Sequence, residues 1–134
     1  MDRRTMLILG AAAVPTGASA WGLVPAPAAP STAVKIFAIY DRPDDPEAFF
    51  THYEQVHAPL VKKTPGLQSF VLNRVTEEVF GGEPRYVLIA EMTYADRTAF
   101  EAAMKSPENQ AVGQDLMSFA KGKVRIVVAD SAAA

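Results

Sequence analysis

Three short segments of this chain are apolar in both of the alternating rows that an extended strand presents. In Val34-Lys35-Ile36-Phe37-Ala38-Ile39-Tyr40, one row holds Val34, Ile36, Ala38 and Tyr40, and the other holds Phe37 and Ile39. Tyr86 to Met92 sets Tyr86, Leu88, Ala90 and Met92 against Val87, Ile89 and Glu91, and Val124 to Val128 is apolar in both rows as well. β-Branched and aromatic runs of this length read as strands. An antiparallel sheet with one solvated side alternates towards polar residues there, and these segments do not. Each side chain of this size left in water forfeits on the order of 1.5–3 kcal/mol. Both faces of the sheet therefore need cover.

The intervening residues say what covers one of them. Asp41-Arg42-Pro43-Asp44-Asp45-Pro46 stops the first strand and caps a helix, either through Asp44 with Glu47 or through Asp45 with Pro46 at the first helical position. Phe49, Tyr53, Val56 and Leu60 then recur at intervals of four, three and four, which lines one face of a helix. Pro59 should bend its last turn, and Thr64-Pro65-Gly66 ends it. Leu67 to Thr76 reads as a second strand and Arg85 to Tyr94 as a third, joined by the hairpin chemistry of Gly81-Gly82-Glu83-Pro84. Asp96 caps a helix carrying Phe100, Ala103 and Met104. Ser106-Pro107-Glu108 restarts the helical path, with Val112, Leu116, Phe119 and Ala120 on one side. Gly122 suits a left-handed stop, and Val124 to Val128 closes as a fourth strand. The order βαββαβ is the ferredoxin-like α+β pattern, an antiparallel four-stranded sheet with the helices on one face. The opposite face calls for a second copy of the sheet about a twofold axis, or for Trp21 to Val24 folding back over it.

At 134 residues the chain has room for one modest domain. Thirteen basic against fifteen acidic residues give a net charge of −2, without the basic excess that phosphate contacts demand. The absence of cysteine removes disulfides, thiolate catalysis and iron–sulfur clusters. Two histidines, His52 and His57, argue against a catalytic zinc site. Residues 1–30 read differently from the rest. Arg3-Arg4, the soft run from Met6 to Val14 and the exit Ala18-Ser19-Ala20 have the three-part form of an export signal. The paired arginines ahead of a Gly/Ala-rich stretch resemble a twin-arginine signal, although Asp2, Met6 and Ile8 depart from its usual residues. A later exit, Ala26-Pro27-Ala28, also fits, as does an untargeted Ala/Pro-rich arm. Removal after Ala20 leaves eleven basic and fourteen acidic residues, net −3. The expectation is a periplasmic product with its domain in residues 31–134.

Tyr40-Asp41-Arg42-Pro43, Phe49-Phe50-Thr51-His52-Tyr53, His57-Ala58-Pro59-Leu60-Val61 and Pro65-Gly66-Leu67 together resemble the EthD family. The resemblance runs from about Val34 to Asp130. It implies a dimeric α+β barrel, a homodimer formed through the sheet face, and a cleft between sheet and helices. The family is tied to ether degradation and to steps on polyketide-like aromatics and is often labelled oxidoreductase. No general cofactor motif accompanies that label, and none is visible in the chain. Some dimeric α+β barrels hold haem, for which His57 would be the axial ligand here, yet nothing positive argues for it.

His57, four residues after Tyr53 and eight after Phe49, shares or borders the buried face. An imidazole titrating near neutrality is the commonest general acid or base. Carbonyls freed by Pro59 could orient a ring nitrogen, and a structural histidine bonded at the helix end is the alternative. His52, five positions earlier, points elsewhere and reads as a solvated group. Tyr40 and Tyr53 are candidate hydrogen-bond donors. Tyr86, Phe100, Met104, Leu116 and Phe119 are candidate pocket walls, although such stripes are mostly core. The expected activity is acid–base chemistry, whether oxidoreductase, dehydratase or cyclase, on a small apolar or aromatic carbonyl compound. Its rival is a non-catalytic exported binder or accessory protein for a hydrophobic molecule.

Overall fold

The computed structural model describes residues 32–134. The signal-like pattern, its cleavage points and Trp21 to Val24 lie outside the described residues. Strand β1 spans Ala33–Asp41, β2 Leu67–Arg74, β3 Tyr86–Tyr94 and β4 Val124–Ser131. They form one sheet in the order β2-β3-β1-β4, antiparallel at every neighbouring pair. The helical layer consists of α1 (Pro46–His52), a π-helical turn (Tyr53–His57), α2 (Ala58–Val61), α3 (Arg97–Met104) and α4 (Pro107–Phe119). This is the ferredoxin-like βαββαβ fold. Among the described residues no helix is long and apolar enough to cross a membrane.

The two-row pattern resolves into two faces of unequal burial. Val34, Ile36, Ala38 and Tyr40 of β1 pair in register with Tyr94, Met92, Ala90 and Leu88 of β3. All eight are buried beneath the helices. The opposite rows, with Phe37, Ile39, Val87 and Ile89, are only half-buried. At the edges Val71, on that outer face, and Val127 remain 44% and 42% exposed. A Lys35–Glu91 pair at 2.7 Å is a charged contact on this face.

The caps follow local chemistry. The Asp45 carboxylate accepts from the Ala48 amide with Pro46 in the first turn, Asp96 accepts from Ala99, and the Ser106 hydroxyl accepts from Asn109. Such a cap stabilises a helix by about 1 kcal/mol. Gly81 and Gly82 both carry positive φ, +89° and +96°, which only glycine adopts without strain.

One helical expectation fails. The spacing places Val56 and Leu60 on the buried face, but Val56 is 41% exposed and Leu60 only half-buried. The cause is the π turn, in which the Ala58 amide donates to the Tyr53 carbonyl five residues back. Pro59 has no N–H, and its ring would press on the carbonyl four residues earlier in a regular α-helix. The wider turn absorbs that clash. Beyond it the inward positions are Phe49, Tyr53, His57 and Val61, each no more than 7% exposed.

Candidate active site

The π turn brings His57 into the core, where it is 2% exposed. Its ring lies 5.1 Å from that of Tyr53 and 4.9 Å from that of Phe119, centroid to centroid. A buried imidazole needs a partner for each polar atom it takes out of water. Asp115 of α4 supplies one, its Oδ2 standing 2.9 Å from His57 Nδ1. The same carboxylate receives His52, whose Nε2 is 2.9 Å from Oδ1 and 3.1 Å from Oδ2. Side-chain exposure rises along this series, 3% at His57, 12% at Asp115 and 33% at His52. The carbonyls that Pro59 was expected to free do not orient the ring; the carboxylate does.

An ionised carboxylate only accepts, so Nδ1 of His57 carries the proton and donates to it. Nε2 is then the unprotonated nitrogen. His57 lines a cavity of about 180 Å³, and Nε2 is the ring nitrogen that Asp115 leaves unengaged. Burial lowers the proton affinity of His57 below the ordinary imidazole range, and the Asp115 contact only partly offsets this. The ring is therefore a neutral base near pH 7.

Ile36, Ala38, Met92 and Ile126 of the sheet form the cavity floor, and Val61, Met104, Val112, Gly113 and Leu116 close it from the helices. Four polar side chains reach it: Tyr40, Tyr53, His57 and Asn109. The rings of Tyr40 and Tyr53 meet edge to face at 5.5 Å, and both are 1% exposed. Burial pushes both phenols well above the ordinary tyrosine range. Both line the cavity, where a neutral phenol can donate to a guest. Asn109 donates from Nδ2 to the Met104 carbonyl at 3.3 Å, leaving its oxygen as a free acceptor.

Of the candidates named from sequence, the cavity gathers His57, Tyr40, Tyr53, Met104 and Leu116. Tyr86 stands at the start of β3 under the Arg85 guanidinium, and Phe100 packs on Tyr94 beneath Arg97; neither lines the cavity. Phe119 lies behind the wall, its ring 4.6 Å from His52 and 6.2 Å from Tyr40. His52 is not a freely solvated group, because Asp115 holds it. Asp115 itself was missed. It precedes Leu116 at the border of the buried stripe of α4, and an acid there is the one signal that could have exposed it. Among the described residues no group of three acidic or histidine side chains is arranged to hold a metal ion.

A small open-edged α+β sheet whose helical layer encloses a base-lined cavity defines the class. Within that class, residues 42–123 match the EthD domain family, and the chain belongs to it. An uncharacterized 11.0 kDa protein from the thcB-thcC intergenic region of Rhodococcus erythropolis is 29% identical over 96 residues, which is 72% of this chain and 92% of that protein. The crystal structure of an EthD family protein from Bacillus halodurans superposes with a TM-score of 0.72 at 35% identity, covering 75% of this chain and 99% of the other. SnoaB, a cofactor-independent oxygenase from Streptomyces nogalater, shares the fold at a TM-score of 0.58 and 14% identity, over 78% and 97% of the two chains.

Proposed function

We propose that this protein is an exported, homodimeric enzyme that moves a proton on a small, mainly apolar carbonyl compound. The observation that carries the reading is His57, tied through Nδ1 to Asp115 and lining an apolar cavity. Nε2 takes a proton from the carbon beside the carbonyl. The C–H electron pair becomes a C=C bond, and the charge on the carbonyl oxygen is met by a hydrogen bond from Tyr53. Return of the proton from Nε2 to a different atom completes an isomerisation, and its delivery to a β-hydroxyl expels water. Enolisation, dehydration and cyclisation all begin with this step. An oxidoreductase outcome would need dioxygen acting on the electron-rich intermediate.

The size of the cavity supports a one-ring substrate, since a dry apolar cavity of about 150 Å³ accepts a benzene-sized guest. A homodimer through the outer sheet face would cover Phe37, Ile39, Val71, Val87, Ile89 and Val127, apolar side chains left half-buried or exposed on that face. Export rests on the twin-arginine-like pattern of residues 1–30 and places the work in the periplasm.

Exchange of the α-protons of phenylacetone in D₂O, followed by proton NMR, tests the reading. Because His57 is packed between two rings, alanine would leave a hole; His57→Gln keeps the volume. We expect exchange to fall about 10²–10⁴-fold, the usual share of a general base. Retention of phenylacetone with no exchange, indifferent to His57→Gln, would identify a carrier instead.

A further inference from the structure

We infer that His52 is a positioning residue for the base, acting through Asp115 to fix the tautomer and the direction of His57. The inference deepens the proposed function and rests on it for its kinetic half. A carboxylate on an α-helix has two soft torsions and can turn towards water. Asp115 is 12% exposed, so that alternative is open to it. What opposes the rotation is His52, which approaches both oxygens at once, at 2.9 Å and 3.1 Å. A donor shared between the two oxygens fixes the carboxylate plane, and that plane aims Oδ2 at His57 Nδ1.

The surroundings leave His52 little other employment. Its ring packs at 4.6 Å on Phe119, which also lies 4.9 Å from His57. Phe119 thus borders both imidazoles, and Asp115 is the hydrogen-bonded link between them. The Ser118 hydroxyl donates to the Asp115 main-chain carbonyl at 2.6 Å and stands 3.5 Å from Oδ1, too far to replace His52. The outer side of His52 borders a shallow depression with Asp45, Glu47, Thr51 and Gln55, and none of these reaches the Asp115 carboxylate. Partners one step removed from a reactive imidazole are commonly what hold its tautomer.

The test is nitrogen NMR of full-length protein carrying ¹⁵N-histidine, alongside the phenylacetone exchange assay. His52→Asn is polar enough for a part-exposed helical site but too short to reach Asp115. His52→Gln places an amide N–H where Nε2 stood. In the parent protein His57 should show one tautomer, protonated at Nδ1, with a downfield, slowly exchanging proton. His52→Asn should mix the tautomers, speed that proton's exchange, and lower kcat about tenfold with KM unchanged; His52→Gln should restore both readouts. A folded Asn variant with the parent His57 spectrum overturns the inference. So does a folded Gln variant that lacks it, which keeps the question decidable if the Asn variant does not fold. The spectrum needs no turnover. A His57 signal that follows His52 as expected, in a protein that exchanges no substrate proton, upholds the inference and sinks the proposed function.

Discussion

The space between sheet and helices is used in opposite ways at its two ends. Around the end of β1, the rings of Tyr40, Phe49, Tyr53 and Phe119 close on one another at 5.3 to 6.2 Å. Further along the same strand the residues are Ala38 and Ile36, and facing them α4 offers Gly113 and Val112; the layer there stays hollow. The composition of both ends is apolar, so hydrophobicity does not separate them. Side-chain volume does. Large rings make a rigid wall in which one imidazole has one position, and small residues leave room for a guest in front of it. His57 stands on the boundary, and only there could a ring be both fixed and reachable.

The filled end should break hardest. Phe119→Ala removes a ring that packs on both histidines, on Tyr40 and on Phe49. Because that ring is half-buried, a loss of about 3 kcal/mol, the low end for such truncations, is expected in urea unfolding. A loss well under 1 kcal/mol would mean that the rings do not act as one packed unit. Next comes the link across the boundary. Asp115→Asn retains the shape but can turn an N–H towards Nδ1, which favours the wrong tautomer; α-proton exchange should drop about 10–100-fold.

The pH response sharpens the same contrast, because the filled end is the dry one. Tyr40 and Tyr53 have folded pKa values above the ordinary 10, so their contribution to stability is fully present below pH 10. It is lost above that point, as the unfolded chain begins to ionise, at up to about 1.4 kcal/mol per pH unit for each phenol. Urea midpoints between pH 9 and 11 should fall accordingly, and Tyr53→Phe should flatten the decline. His57 works at the other limit. Its folded pKa is depressed from 6.5, so its share of stability is present above 6.5 and drains away as the pH falls through the folded value. The smallest effect belongs to the hollow end. A Cβ on Gly113 would meet nothing within 4 Å, so Gly113→Ala should gain about 0.5–1 kcal/mol from helix propensity. The same methyl group narrows the cavity, and binding of the bulkier aryl ketones should weaken.

The sequence carried the element order well, because strand rows, Asp and Ser caps and glycine turns are local signals. It carried the inward direction of His57 for the same reason, through Phe49 and Tyr53. What it hid were features that local periodicity cannot encode. Val56 fits the helical repeat as well as His57 does, and only the extra residue in the π turn turns it to solvent. The Asp115 partnership spans 58 positions of chain, and nothing about a lone acid in an amphipathic helix announces two imidazoles across the layer. Tyr86 and Phe100 have the right residue types, but their places in the strand and helix lead them to other neighbours.

The irregular turn before Pro59 has a corollary for engineering. Deleting a single residue between Tyr53 and His57 would return the backbone to uniform winding, yet set the imidazole three positions after Tyr53 instead of four, and so on a different side of the helix. The repaired segment would press the Pro59 ring on a carbonyl again and turn its imidazole away from Asp115. Here a local defect in winding is the device that sets the aim, and a design effort that ranks variants by helical regularity alone would select it away.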